Sequence, residues 1–427
     1  MGRTIFTFGL SAALLTSPAL AAPVDLVTLY KDLHTHPELS FQETRSAGII
    51  AAEARAAGFE VTEKVGRTGV VAMLKNGKGP TVLIRADMDG LPVKETTGLP
   101  YASTAMGNYG SGPMTPVMHA CGHDIHMSVW VGTARWLAEN RKAWRGTVVM
   151  IGQPAEEGLG GAKAMLDDGL LTRFPKPDYA LALHDDSRIP AGTVSVPPFR
   201  ALSISTSMDM VVKGIGGHGA YPATTKDPVA LAARIVTALQ PLISRENDPF
   251  HPAVITVGSI HGGTKHNIIP DEVALQLTIR SYDAAQQQRL LDGIARVARG
   301  EAIAAGLPET LTPVIRSTAI GVPTLNDAPL AARIKAQFEA KLGKGRVIDL
   351  DPSMASEDFQ LFGLAAKVPS VIYWLGGVGQ AQWNAAQKGG PAIPSLHNGG
   401  WAPDPGPTIA TGVESMTAAA VMLMPAK

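Results

Sequence analysis

The sequence predicts an α/β protein of two domains, an open mixed-sheet domain interrupted by a smaller α+β insert, and three observations carry that prediction. The 427 residues exceed the roughly 250–300 at which one hydrophobic core stops growing. Strand and helix patterns alternate through the first 200 residues, and chemically able side chains keep falling just past strand ends. Thr81–Ala86 runs into Asp87-Met88-Asp89, Thr147–Gly152 into Glu156-Glu157, and Tyr179–Leu183 into His184. Open α/β sheets build their sites there, because the loops leaving neighbouring strand ends converge. Between about Ala201 and Thr312 the order changes to β-α-β-β-α-β, as in a small ferredoxin-like unit. The expected division is residues 22–200 with 315–427 for the larger domain, and 201–314 for the insert.

In chain order, residues 1–21 read as an address. Arg3 precedes an apolar run from Ile5 to Leu15, and Ala19-Leu20-Ala21 is a cleavage pattern, so the segment has the features of a secretory signal peptide. A periplasmic or secreted protein is the expectation, with no membrane association after the signal is removed. Leu26, Leu29, Tyr30 and Leu33 then mark an amphipathic helix ending near His34–Pro37, and a second helix spans Glu43–Ala57, closed by Gly58. Val70–Leu74 and Thr81–Ala86 read as strands, and a helix follows the His119–His126 stretch to about Asn140. Within the insert the strands are Ser203–Val212, Ala253–Ile260, Glu272–Ile279 and Glu309–Val314, and the helices Pro228–Ser244 and Ala284–Ala305. Beyond it, Ala328–Lys341 is a helix, Ser370–Trp374 a buried strand, and Thr408–Leu423 the last helix.

Lysine plus arginine and aspartate plus glutamate both number 37. A balanced charge gives no reason to expect a nucleic-acid or anionic-membrane partner, and points to a small ligand recognised locally. The single cysteine, Cys121, has no partner for an internal disulfide. It sits in His119-Ala-Cys-Gly-His-Asp-Ile-His126, and a Cys-x-His spacing lets a thiolate and an imidazole reach one metal from a single loop. With Glu157, His184 and His397, Cys121 and His123 supply five donors, enough for two divalent ions such as zinc, manganese or cobalt if one donor bridges. Glu156, next to a ligand, is suited to take a proton from metal-activated water and pass it to a leaving amine. Two other readings stay open on these residues alone: a Cys121/His123 nucleophilic pair, and a buried structural thiol.

Several motifs, in order, resemble one family across the mature chain: Leu33-His-Thr-His-Pro-Glu-Leu-Ser-Phe-Gln-Glu43, Arg85-Ala-Asp-Met-Asp-Gly-Leu-Pro92, His119-Ala-Cys-Gly-His-Asp124, Gln153-Pro-Ala-Glu-Glu157, Gly217-His-Gly-Ala-Tyr-Pro222, Asn267-Ile-Ile-Pro270 and Ser356-Glu-Asp-Phe359. They are similar to the metallo-aminoacylase and carboxypeptidase family that contains hippurate hydrolases and auxin-conjugate amidohydrolases. The resemblance implies a metallopeptidase-like catalytic domain with the insert as a lid, and a dinuclear metal centre cleaving the amide of an N-acyl amino acid or small peptide. It places metal ligands at Cys121, His123, Glu157, His184 and His397, the general base at Glu156 and a supporting aspartate at Asp89. It also implies that His218 reaches the reaction from the insert, that Asn267 and Arg280 hold the substrate carboxylate, and that the lid offers a surface for a homodimer. Three departures from the family pattern, Ile125, Asp185-Asp186 and the loop Leu396–Pro403, bear on the acyl side of the substrate. A dipeptidase or carboxypeptidase, or an inactive peptide-binding relative, are the competing readings; retention of Glu156 beside a full ligand set speaks against the last.

Overall fold

The computed structural model describes residues 24–426, so the expected signal peptide lies outside the described residues. Helix α1 (Leu26–Thr35) starts where the Asp25 carboxylate accepts the Thr28 N–H at 3.0 Å, and it buries Leu29, Tyr30, Leu33 and His34, the stripe its periodicity predicts. After α2 (Thr44–Ala56) come three strands, β1 (Glu60–Val65), β2 (Gly69–Asn76) and β3 (Thr81–Asp87). Strand β1 has no counterpart among the sequence expectations. Its Glu-Val-Thr-Glu-Lys-Val run is largely polar because it is an edge strand, paired only with β2.

Next are α3 (His123–Glu139), β4 (Gly146–Gln153), β5 (Tyr179–Pro190) and the short β6 (Val194–Ser195). The insert follows with β7 (Ile204–Lys213), α4 (Pro228–Ser244), β8 (Ala253–Gly262), β9 (Glu272–Ser281), α5 (Ala284–Ala304) and β10 (Val314–Ile320). The chain then returns through α6 (Ala328–Leu342) and β11 (Ser370–Val378) to the final helix α7 (Pro405–Leu423).

The large sheet has the order β1-β2-β4-β3-β5-β11-β6. Its middle, β4-β3-β5-β11, is parallel, and antiparallel pairs close both sides. Both faces are covered: Val82 and Ile84 point into the apolar cluster under α1, α2, α3, α6 and α7, while Leu83 points into the opposite cluster with Met165, Leu170, Phe359 and Phe362. Parallel strands with two buried faces explain the near-continuous apolar runs in this half of the sequence. All four parallel strands therefore send their carboxyl ends to the same edge.

In the insert the four strands lie in the order β8-β9-β7-β10, all antiparallel, with α4 and α5 over one face. Met208, Met210, Val212, Val273, Leu275, Leu277 and Ile279 fill the space beneath the helices. One strand differs from expectation. Glu309–Leu311 is a 3-10 turn, and the strand placed at Glu309–Val314 by its pattern runs Val314–Ile320 instead, past residue 314. Pro308 and Pro313 bracket the turn, and neither can donate to a ladder.

His34 ties this framework to the site. Its Nδ1 lies 2.6 Å from Asp124 Oδ2 and its Nε2 3.1 Å from Glu95 Oε1, with all three side chains buried. Burial alone would depress the imidazolium, but the hydrogen bonds and charges of Asp124 and Glu95 prevail and raise it from 6.5 to about 9. A raised basic group stabilises the fold fully below its unfolded value and loses that contribution as pH climbs through the folded value. The melting temperature is therefore expected to fall between pH 6.5 and 9, more steeply than in His34→Gln, when both are followed by circular dichroism. Parallel curves for the two proteins would remove His34 from the account.

Candidate metal centre

Cys121 lies in the turn that opens α3. Gly122 has φ +73, and a Cβ there would sit 2.4 Å from the Asp185 carboxylate, so only glycine lets the turn close over Asp185. His123 begins α3, and Asp87 and Asp89 leave the end of β3 beside it. Glu156 and Glu157 follow β4 through Ala155, which has φ +47 and whose N–H donates to buried Glu43 Oε1 at 2.8 Å. That conformation is costly for a residue with a Cβ, and the Glu43 contact holds it. His397 has φ +65, and its backbone N–H donates to the Ala120 carbonyl at 2.8 Å, which pins the late loop against the Cys121 turn.

Several groups of three donors result, among them His123 with Glu156 and Glu157, and two of them share the thiol. Cys121, His123 and His184 form one, and Cys121, Glu157 and His397 the other, with ligand atoms in each within 4.8 Å of one another. Cys121 Sγ is 3.5 Å from His184 Nε2 and 3.2 Å from His397 Nε2, and Glu157 Oε1 is 3.5 Å from His397 Nε2. Glu156 Oε2 is 3.8 Å from His123 Nε2. Both ring nitrogens of His123 and Glu157 Oε1 are buried without a hydrogen-bond partner. Buried polar atoms are rarely left so. Orphaned donors of mixed nitrogen, oxygen and sulfur type around one space are what divalent cations would satisfy, so the donor set fits the metals that the sequence implies.

The surrounding groups fix the ligands. The His184 Nδ1–H donates to the Asp185 carbonyl at 2.7 Å, which leaves Nε2 directed at Cys121. Asp89 accepts the Glu156 and Glu157 N–H groups at 3.1 and 3.2 Å and the Ser40 hydroxyl at 2.6 Å, and its Oδ1 faces His123 Nδ1 at 3.4 Å. It thus supports both the Glu pair and His123. His126 accepts the Asp185 N–H on Nε2 at 2.8 Å and donates from Nδ1 to Asp87 at 2.5 Å. Asp87 also takes Arg85 Nη1 at 2.5 Å, so each of its oxygens carries one donor, and Arg85 reaches Glu357 at 2.6 Å. Trp401 Nε1 donates to Asp185 Oδ2 at 3.2 Å, linking the His397 loop to the same carboxylate.

Electrostatics separate the roles. Burial, followed by the charges of Glu357 and Glu157, raises the Glu156 carboxyl well above the ordinary range, and burial brings Glu157 up to about 7. Burial and neighbouring imidazoles bring His397 down to about 4, whereas against burial the carboxylates of Asp87 and Asp89 bring His123, and that of Asp185 brings His184, up to about 9. Burial, then Glu157 and Glu156, raises the Cys121 thiol well above its usual value. A nucleophilic cysteine needs an electropositive setting that lowers it, which these glutamates do not provide.

A cavity of about 850 Å³ opens beside these residues, lined by Cys121, Glu156, Glu157, His184, His397 and, from the insert, Arg280. His218 and Asn267 do not line it. They meet on an exposed two-stranded ribbon, Gly217–His218 paired with Ile268–Ile269, where the Gly219 N–H donates to the Asn267 carbonyl at 2.9 Å. That ribbon lies outside the four-stranded sheet that carries Arg280. His184 also differs from expectation, lying within β5 because that strand continues pairing with β11 through Asp186. The sequence reading missed Asp87, Asp185 and Trp401 as supports. Asp185 was visible only as an unusual acid after His184, and nothing local to Trp401 signalled its bond.

The sequence profile described as peptidase family M20/M25/M40 matches residues 83–388. An IAA-amino acid hydrolase of Arabidopsis thaliana is 35% identical over 353 residues, 82% of this chain and 76% of its own length. A hippurate hydrolase of Campylobacter jejuni is 35% identical, covering 77% of this chain and 82% of its own. Among solved structures, a Bacillus subtilis protein described as a dinuclear metal binding peptidase of the M20 family superposes with a TM-score of 0.75 at 28% identity, over 93% of this chain and 97% of that one. The chain belongs to peptidase family M20/M25/M40, and it is an amidohydrolase.

Proposed function

We propose that the protein hydrolyses the amide of N-acyl amino acids or small peptides bearing a free α-carboxylate, with two divalent ions held by Cys121, His123, Glu157, His184 and His397. The observation that carries this is the pair of donor triads sharing Cys121, with Glu156 at their side. Zinc, manganese or cobalt would each suit the mixed donors, supplying Lewis acidity and lowering the pKa of water. Glu156 takes the proton of the attacking water and returns it to the leaving amine, and burial raises its affinity for that proton. His218 and Asn267 ride on the insert, so their roles require closure of the insert over the substrate, a motion of the kind that completes many active sites. A homodimer through the insert and export to the periplasm or medium complete the proposal; the exposed edge strand β8 and residues 1–21 of the sequence support them.

Arg280 carries the substrate test. Its Nη1 donates to the Met354 carbonyl at 2.8 Å and, among the described residues, it has no acidic partner, which leaves the rest of its fork free to bind a carboxylate. Amidation or esterification of the substrate carboxylate is expected to cost about 2–4 kcal/mol of transition-state stabilisation. Arg280→Ala should lose kcat/KM on the free acid and change little on the amidated substrate. Equal losses on both would mean that Arg280 braces the insert and does not read the carboxylate.

A further inference from the structure

The cavity wall carries two arginines whose circumstances differ. Arg188 and Arg280 both line it, and both are pinned to the same loop, Arg188 Nη1 to the Asp351 carbonyl at 3.1 Å and Arg280 Nη1 to the Met354 carbonyl at 2.8 Å. Both guanidinium groups therefore face the same cavity from anchors three residues apart on one loop. Arg280 has no acidic partner among the described residues. Arg188 is held by Asp186, whose Oδ2 takes Nη2 at 2.7 Å and whose Oδ1 takes Nε at 3.0 Å and the Arg188 N–H at 2.7 Å. The Asp186 side chain is only 6% exposed, while Arg188 keeps 39% and lies 5.9 Å above the Trp374 ring. The pair therefore presents the cavity with an electrically balanced surface beside Arg280, which has no acidic partner among the described residues.

We propose that Asp186, which the sequence alone tied to the acyl side, instead faces the amino-acid side chain and forms with Arg188 a charge filter, which neutralises this part of the wall and selects N-acyl amino acids with one carboxylate over those with a second carboxylate on the side chain. The inference rests on the amidohydrolase reading and adds the substrate class to it. A second carboxylate entering the site meets an Arg188 whose charge Asp186 already balances and three of whose five side-chain N–H donors are engaged by Asp186 and the Asp351 carbonyl. An uncharged side chain meets the Trp374 face and the neighbouring Leu202 and Val254 at no such cost.

The test compares ratios of kcat/KM on one enzyme preparation, so that any loss of folded protein cancels. With N-acyl-leucine, N-acyl-glutamate and N-acyl-lysine sharing the acyl group the wild type hydrolyses best, the wild type is expected to favour leucine over glutamate by at least about tenfold. Asp186→Asn frees Arg188 and should raise the glutamate-to-leucine ratio by about tenfold, with the gain shrinking at high salt because Arg188 is partly exposed. Arg188→Gln strips the cover from Asp186 and should raise the lysine-to-leucine ratio instead. A wild type that prefers glutamate, or ratios that neither variant moves, overturns the filter while the amidohydrolase reading stands. Absence of turnover on every N-acyl amino acid by the metal-loaded wild type overturns both.

Discussion

Glu156→Gln is expected to lower kcat by roughly a hundredfold or more while the fold and the bound metal are retained, the usual cost of losing a positioned general base. The geometry gives the reason for that separation. Glu157 Oε1 is an orphaned buried atom 3.5 Å from His397 Nε2 and shares a triad with Cys121, whereas Glu156 sits 3.8 Å from His123 and groups with His123 and Glu157. The two backbone N–H groups are held by the same Asp89, so the amide substitution changes one side chain without moving its neighbour. Glutamine preserves the volume and the burial but cannot accept the proton. Glu157→Gln should do the reverse and weaken metal binding first. Metal content by elemental analysis, beside steady-state kinetics, checks both. If the two variants lost metal equally and Glu156→Gln recovered at high metal concentration, the division of roles would be wrong.

The parts of the site that were legible in the sequence are those compressed into one loop. Cys121-Gly-His123 and Glu156-Glu157 each place two functional groups next to each other, and the apolar strands before them announce where they emerge. His184 needed the further inference that β3, β4 and β5 end at one edge, which follows from their parallel pairing. Supports that reach across the chain left little trace. Glu43 fixes Ala155 over 112 residues, and Trp401 meets Asp185 over 216, through single hydrogen bonds that no periodicity records. The same limit explains His218 and Asn267: the motifs holding them are plain in the sequence, but their distance from the cavity depends on how the ribbon stands relative to the sheet. For the insert, the strand count and order were readable because apolar and polar residues alternate cleanly on β7 and β9, whereas the last strand was displaced by prolines that the alternation does not register.

Removal of the metal is expected to abolish turnover, on the order of a thousandfold or more, because Lewis-acid activation is worth several kcal/mol and no side chain in the cavity replaces it. Full recovery should follow addition of zinc, manganese or cobalt, since the apolar clusters on both faces of the large sheet and the Arg85–Glu357 and His34–Asp124 pairs hold the loops from behind. Circular dichroism of the chelated protein should therefore stay close to that of the loaded one. Cys121 supplies a second readout that does not rely on activity. Its side chain is 7% exposed and shared by both donor triads, so in the loaded protein it should resist a thiol reagent. In the chelated protein it should react slowly at neutral pH, because burial and the flanking glutamates hold the thiol protonated, and faster as pH rises. A catalytic nucleophile would behave in the opposite way, being modified and killed in the active enzyme. Rapid alkylation of the loaded protein with parallel loss of turnover, or full turnover in a preparation shown to be metal-free, would return the chemistry to Cys121 and His123.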